Sequence, residues 1–185
     1  WTFGTTTGLT FNAGTSTINL TGSGPTFAGG GLTYNTVGFT NTSASGIAAI
    51  TGSNTFANLN ISAPTTGLKS ISLSGNQTVT GTFTANGGTY NARTFVTSDV
   101  LGTACTITAA TVAIAYCDFQ DITGAGAGSW TGTSIGNCQG NSGITFSSAK
   151  TVYWNLAGAQ NWSAVGWATT SGGTPAAANF PLAQD

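Results

Sequence analysis

Seven charged side chains are all that this chain of 185 residues offers to acid–base chemistry: Lys69, Arg93 and Lys150 against Asp99, Asp118, Asp121 and Asp185. His, Glu and Met are absent. Without imidazole the commonest general base and neutral metal ligand are gone, and no serine has a histidine to activate it. Asp118 and Asp121 are the only neighbouring carboxylates. Two carboxyl groups about 5 to 9.5 Å apart across a cleft can hydrolyse a glycosidic bond, and Asp99 could join this pair from an earlier stretch. The plainer expectation is that they are surface and turn carboxylates that confer solubility. No cation stands beside them in sequence, since Lys69, Arg93 and Lys150 are all distant, so a lyase-type pairing of base and cation is not evident.

The cysteines are three, Cys105, Cys117 and Cys138. They are widely spaced, with no Cys-x-x-Cys and no His, which argues against a metal site. Cys117 and Cys138 lie close to one repeat apart, and adjacent strands about 4.8 Å apart would bring them within disulfide range. The alternative is buried free thiols behaving as small hydrophobes. The glycines form no phosphate loop, so neither a nucleotide nor any other cofactor is expected. Five Asn-x-Ser/Thr sequons, at Asn19, Asn41, Asn60, Asn76 and Asn161, are no more than the abundance of Ser and Thr produces by chance.

The aromatics remain. Trp130, Tyr153, Trp154, Trp162 and Trp167 could form a platform on which sugar faces stack, with polar handles at the ring edges. Packing in a terminal cap is the favoured reading, because exposed Trp is costly unless it meets something.

The elements that would position these residues are strands. Charged residues make up 4% of the chain, against about 25% in ordinary globular proteins. Aromatics at 10% speak against disorder. A net charge of -1 supplies no footprint for nucleic acid. No apolar run approaches the roughly 20 residues of a spanning helix, and the longest, residues 109–116, is strand-sized, so no membrane insertion is expected. Good helix formers are scarce. Leu9-Thr10-Phe11, Ile18-Asn19-Leu20, Leu32-Thr33-Tyr34, Leu59-Asn60-Ile61, Ile71-Ser72-Leu73, Thr106-Ile107-Thr108 and Ile144-Thr145-Phe146 nearly all place apolar residues two apart. That is the period of short half-buried strands, three to six residues long.

These segments repeat. Leu9, Leu32, Leu59, Phe83 and Ile107 recur at intervals of 23, 27, 24 and 24. A second track runs through Thr26-Phe27, Thr55-Phe56 and Thr78-Val79, each preceded by a Ser/Gly/Asn turn. A period in the twenties with two or three short strands per repeat predicts an all-β fold, a parallel β-solenoid (β-helix) of about five to seven coils. Inward Thr, Asn and Cys would then form ladders from coil to coil. The strands at Leu9, Leu32, Leu59, Phe83 and Ile107 are expected side by side in one parallel sheet. An antiparallel sandwich is the competitor, but the only hairpin-type Asn-Gly is Asn86-Gly87 and the spacing is too even for Greek-key wiring. Gly29, Gly30 and Gly31 read as a corner needing positive φ. The coils are assigned to residues 1–150 and a Trp-rich cap or linker to residues 151–185. The abrupt ends read as a fragment of a longer polypeptide.

Coils built from Leu-Thr-Phe-Asn, Thr-Gly-Ser-Asn-Thr-Phe-Ala-Asn-Leu-Asn-Ile and Ser-Gly-Asn-Gln-Thr-Val-Thr-Gly-Thr-Phe resemble the β-helical tail-fibre, tailspike and related virion proteins of tailed bacteriophages. The segment with Tyr153-Trp154, Asn161-Trp162-Ser163, Trp167-Ala168, Ser171-Gly172-Gly173, Pro175 and Asp185 looks like a Trp-rich element of phage and bacterial surface proteins. The resemblance spans nearly the whole chain, through motifs of low complexity. It implies an extracellular, non-catalytic structural or receptor-binding segment of a virion fibre or spike. Its partners would be further copies of itself, three in the usual fibre, other virion proteins and a host-surface glycan. A secreted bacterial adhesin at the cell surface shares the same repeat grammar. Tailspike depolymerases use acidic residues in a groove, so a polysaccharide-degrading β-helix enzyme is the third reading, with no motif here that transfers residue by residue.

Overall fold

The computed structural model describes residues 1–44 and 46–185. Thr, Val, Ile and Phe at alternate positions suit a pleated, half-buried surface, and nearly all regular structure is strand. The single helical element described is a three-residue 3-10 turn, Ala177–Asn179.

The first eleven strands go alternately to two parallel sheets. The first sheet holds β1 (Thr17–Leu20), β3 (Thr33–Phe39), β5 (Asn54–Ile61), β7 (Gln77–Asn86), β9 (Cys105–Ala115) and β11 (Ile122–Ala125) in that order. The short β12 (Gly132–Thr133) also pairs with β9, beside residues 114–115. The second sheet holds β2 (Thr26–Ala28), β4 (Ile47–Thr51), β6 (Gly67–Leu73), β8 (Ala92–Ser98), β10 (Cys117–Gln120) and β13 (Gly136–Asn137).

Register turns the repeats into rows. In the first sheet Tyr34, Phe56, Val79 and Ala109 stand side by side, as do Val37, Leu59, Phe83 and Val112, and Phe39, Ile61, Ala85 and Ile114. The second sheet answers with Phe27, Ile50, Leu73 and Ser98, and with Ala48, Ile71, Val96 and Phe119. These rows supply most of one buried apolar cluster. Fully burying each such side chain stabilises the fold by about 1.5–3 kcal/mol before entropy is counted. The intervening rows of the first sheet are small and neutral: Thr33, Thr55, Thr78 and Thr108 form one of them.

The rows differ from the expected ones. Leu9 and Leu32 lie outside strands, and Ile107 shares the sheet but faces Gln77, while Phe83 faces Val112. The register shifts between Phe56 and Leu59 and again between Val79 and Thr82. The row Val37, Leu59, Phe83 and Val112 therefore has intervals of 22, 24 and 29. Those irregularities also let β5, β7 and β9 run to 8, 10 and 11 residues, longer than expected. The second track is broken too. Phe56 and Val79 pair, but Phe27 belongs to the other sheet, beside Ile50. The glycine corner holds at two of its three positions, with φ of 64° at Gly30 and 76° at Gly31.

Both ends carry extra chain. Thr2 bridges Ala28 in parallel, with Phe3 N–H donating to Ala28 O (3.0 Å) and Ala28 N–H to Trp1 O (2.8 Å), so residues 1–3 cover the free edge of β2. At the far end β14 (Tyr153–Trp154) and β15 (Trp167–Ala168) form a separate antiparallel pair. Gln184 seals the last strand of the second sheet: Asn137 N–H donates to its Oε1 (2.9 Å), and its Nε2 donates to Ser147 O (2.9 Å). Lys150 pairs with Asp185, whose carboxylate also accepts from Lys150 N–H (2.9 Å) and Leu182 N–H (2.8 Å).

Candidate functional site

The charged residues of the second sheet are placed by its register. Thr94 faces Cys117 and Phe95 faces Asp118, so Arg93 and Asp118 sit on neighbouring strands although 25 residues apart. The guanidinium engages the carboxylate in a bidentate pair, Nε to Oδ2 and Nη2 to Oδ1, both 2.7 Å. Nη2 also donates to Ser134 O (2.8 Å) and Cys117 O (3.2 Å), and Nη1 is buried without a partner. Asp118 is 8% exposed and Asp121 4%. For Asp118 and Asp121 the expectation of solvated carboxylates is therefore overturned, and although no cation is beside them in sequence the fold brings Arg93 against Asp118. A Cβ on Gly136 would collide with the Asp118 carboxylate, and only glycine leaves room for it.

Asp121 does different work. Its Oδ2 accepts from Gly102 N–H (2.9 Å), which ties down the loop before β9, and its own left-handed backbone (φ 53°) makes the corner between β10 and β11. Asp99 is exposed in a turn. The carboxylates thus serve separate structural contacts. Both oxygens of Asp118 accept hydrogen bonds from the Arg93 guanidinium, a donor that stays charged.

Lys69 has no evident role in the sequence alone. In the fold it is 5% exposed, and its ammonium donates to three backbone carbonyls, Phe39 O (2.8 Å), Asn41 O (2.6 Å) and Ser62 O (2.9 Å). Three donors meet three acceptors and no carboxylate. Burial pulls its pKa down to about 8. The one signal in the sequence is a lysine inside an alternating strand pattern, at the position of an inward residue.

Cys105, Cys117 and Cys138 are free thiols, so no disulfide joins Cys117 to Cys138. Asp118 faces Gly136 and Phe119 faces Asn137, so Cys138 comes three positions beyond the point where it would meet Cys117. Burial, followed by the nearby Asp118 charge, pushes the Cys117 thiol up to about 12 and the Cys138 thiol up to about 11. Such thiols are poor nucleophiles at neutral pH.

The aromatic candidates separate into two groups. Trp130 is core, 5% exposed, against Phe83 (centroids 5.5 Å), with its Nε1 donating to Ala125 O (3.0 Å). Trp154, Trp162 and Trp167 form a cluster on the β14–β15 pair. Trp154 and Trp162 are parallel within 5° at 6.0 Å, and Trp167 stands edge-on to both. Trp167 is buried, whereas Trp162 is 64% and Tyr153 41% exposed. The cluster packs the C-terminal segment and leaves one indole open.

A buried polar stack of the expected kind is present. Asn54 and Gln77, 3% and 1% exposed, sit side by side. Asn54 Oδ1 accepts from Gly31 N–H (3.2 Å), Asn54 Nδ2 donates to Gln77 Oε1 (3.2 Å), and Gln77 Nε2 donates to Gly52 O and Gly75 O (both 2.7 Å). Among the described residues no group of three or more potential metal ligands converges. No protein-family model, no curated protein and no solved structure matches this chain.

Proposed function

We propose that the chain is a β-solenoid segment of a virion fibre or spike, a non-catalytic rod that carries load and presents surface outside the cell. The observation that carries this reading is the alternation of consecutive strands between two parallel sheets, each strand stacked on the one a repeat earlier. A chain wound in this way grows by adding repeats along one axis, which suits a shaft. The fate of the chemical groups supports it. Arg93, Asp118, Asp121 and Lys69 each hold backbone or one another, and the first sheet has no ionised side chain in any strand. A surface of Thr, Asn and Ala needs no counter-ions and gives little repulsion between copies laid side by side, which supports threefold association.

Antibody raised against the full-length protein and applied to phage particles tests the reading by electron microscopy. Label on tail fibres or spikes supports it. Label confined to the bacterial envelope would replace it with the adhesin reading. Shortening of host capsule or lipopolysaccharide by the purified protein would remove the non-catalytic assignment.

A further inference from the structure

The chain crosses from the second sheet back to the first through short connections of small polar residues, Gly52-Ser53 before β5 and Ser74-Gly75-Asn76 before β7. The one before β9 is different. It takes six residues, 99–104, all exposed, and places Val100 and Leu101 at its tip, 53% and 80% exposed. The tip is tied down. Asp99 N–H donates to Leu73 O (2.8 Å), Thr103 N–H to Val100 O (3.0 Å), and Gly102 N–H to Asp121 Oδ2 (2.9 Å). Two apolar side chains are thus held out into water on a turn fastened at three points, which is the form of a preorganised anchor.

The opposite connections, from the first sheet to the second, carry a matching recess. Three of them, with Tyr90, Tyr116 and Thr133-Ser134, join Ala177 and Ala178 of the C-terminal segment in walling a cleft of about 150 Å³. The Tyr90 ring is braced by Phe180 at 5.3 Å, and Tyr116 N–H donates to Thr133 O (2.8 Å), which fixes one wall against the other. No charged residue lines the cleft, and a space of that size takes a benzene-sized group, so a leucine side chain fits. The heights agree as well. The turn 99–104 joins β8 to β9, so along the stacking direction it lies between Tyr90, just before β8, and Tyr116, just after β9. All eleven residues of β9 separate the turn from Tyr116, and Leu101 does not reach the cleft of its own chain. Copies related by rotation about an axis along the stacking direction meet at equal heights, knob facing cleft.

We propose that Leu101, flanked by Val100, inserts into the Tyr90–Tyr116 cleft of a neighbouring copy. The contact rests on the reading that copies lie side by side, and it names the surfaces that meet. It is heterologous, with the knob on one copy and the cleft on the next, so every copy uses both. Sedimentation of the full chain tests it from about 10 μM to about 1 mM, the range in which small interfaces form. The wild type should associate as concentration rises. Leu101→Asp charges the knob and Ala178→Trp fills the cleft. Both change exposed positions, so both variants should fold normally and stay monomeric. Leu101→Ala should weaken association about tenfold. Mixing the two monomeric variants should give a one-to-one dimer and nothing larger, since Ala178→Trp keeps the knob and Leu101→Asp keeps the cleft. A mixture that stays monomeric, or Leu101→Asp associating like the wild type, would overturn the proposal; the second result leaves side-by-side association standing through another face. A wild type that is monomeric at every concentration would overturn both, while labelling of phage particles still decides the virion reading.

Discussion

The two sheets are built from the same repeats and hold themselves together differently. No strand of the first sheet contains a charged residue, and its outer rows are Thr, Asn, Gly and Ala. The second sheet carries Lys69 on β6, Arg93 on β8 and Asp118 on β10, all buried. In the first, apolar rows stack, and outward Asn35, Asn58 and Thr80 add neutral hydrogen bonds to the preceding coil. In the second, Lys69 and Arg93 donate to backbone carbonyls and Arg93 pairs with Asp118, and each buried ion is tolerable only because its partners are in place. The difference teaches that charge within the strands of this chain is an internal fastening.

The contrast is broken most forcefully at the contacts that matter most to each sheet. Asp118→Ala leaves the Arg93 guanidinium buried and unpaired and should cost about 3–5 kcal/mol by urea unfolding. Adding Arg93→Met should recover a large part of that loss, which marks the cost as electrostatic. Phe83→Ala in the first sheet should cost about 3–5 kcal/mol from cavity and lost transfer, and no charge substitution should relieve it. If Asp118→Ala were neutral, the second sheet would not depend on its ions.

A smaller effect sharpens the boundary between the sheets. Gln77→Ala removes the donor to Gly52 O and Gly75 O and the acceptor for Asn54, in the turn leading into the first sheet. Leaving those buried groups unpaired should cost about 1–3 kcal/mol.

The pH dependence of Lys69 has a definite sign. Its folded pKa of about 8 lies below its ordinary value of 10.5, so between those limits the unfolded chain holds a proton that the folded chain has shed. The unfolded state binds more protons there, and the Lys69 contribution to stability rises with pH across that window. Cys117 and Cys138, raised by burial, act in the opposite direction above their ordinary value of 9.0. Stability of the wild type relative to Lys69→Met, measured by urea unfolding from pH 7 to 10, should therefore increase with pH. A flat or falling difference would show that the carbonyl cage, not burial, dominates.

The smallest expected change lies on the first sheet's outer face. Thr78→Ala and Thr108→Ala should shift stability by no more than about 0.5 kcal/mol, as exposed positions do. A loss of about 2 kcal/mol, a size that goes with buried contacts, would mean that this face is an interface between copies.

Strand type, the parallel arrangement and the glycine corner were legible because alternation and positive-φ turns are local signals. The rows were not. Phe83 and Val112 pair while Ile107 slips beside Gln77, because a register shift leaves no mark in residue type. The same blindness hid Arg93 from Asp118: 25 residues is far along the chain and adjacent in a structure that repeats at that interval. Trp130 groups with the other aromatics by type, yet it fills core beside Gly124, a packing that composition does not signal.

Cross-linking tests the stacking on which the whole account rests. Thr55 and Thr78 are in register on adjacent strands, and Thr108 is one strand further. With Cys138→Ser as background, Thr55→Cys/Thr78→Cys places two cysteines about 4.8 Å apart at Cα, within disulfide range, whereas Thr55→Cys/Thr108→Cys doubles that separation. Mild oxidation of monomeric protein should close the first pair rapidly and leave the second reduced. A first pair that stays reduced, or a second that closes as fast, would contradict the parallel in-register stack.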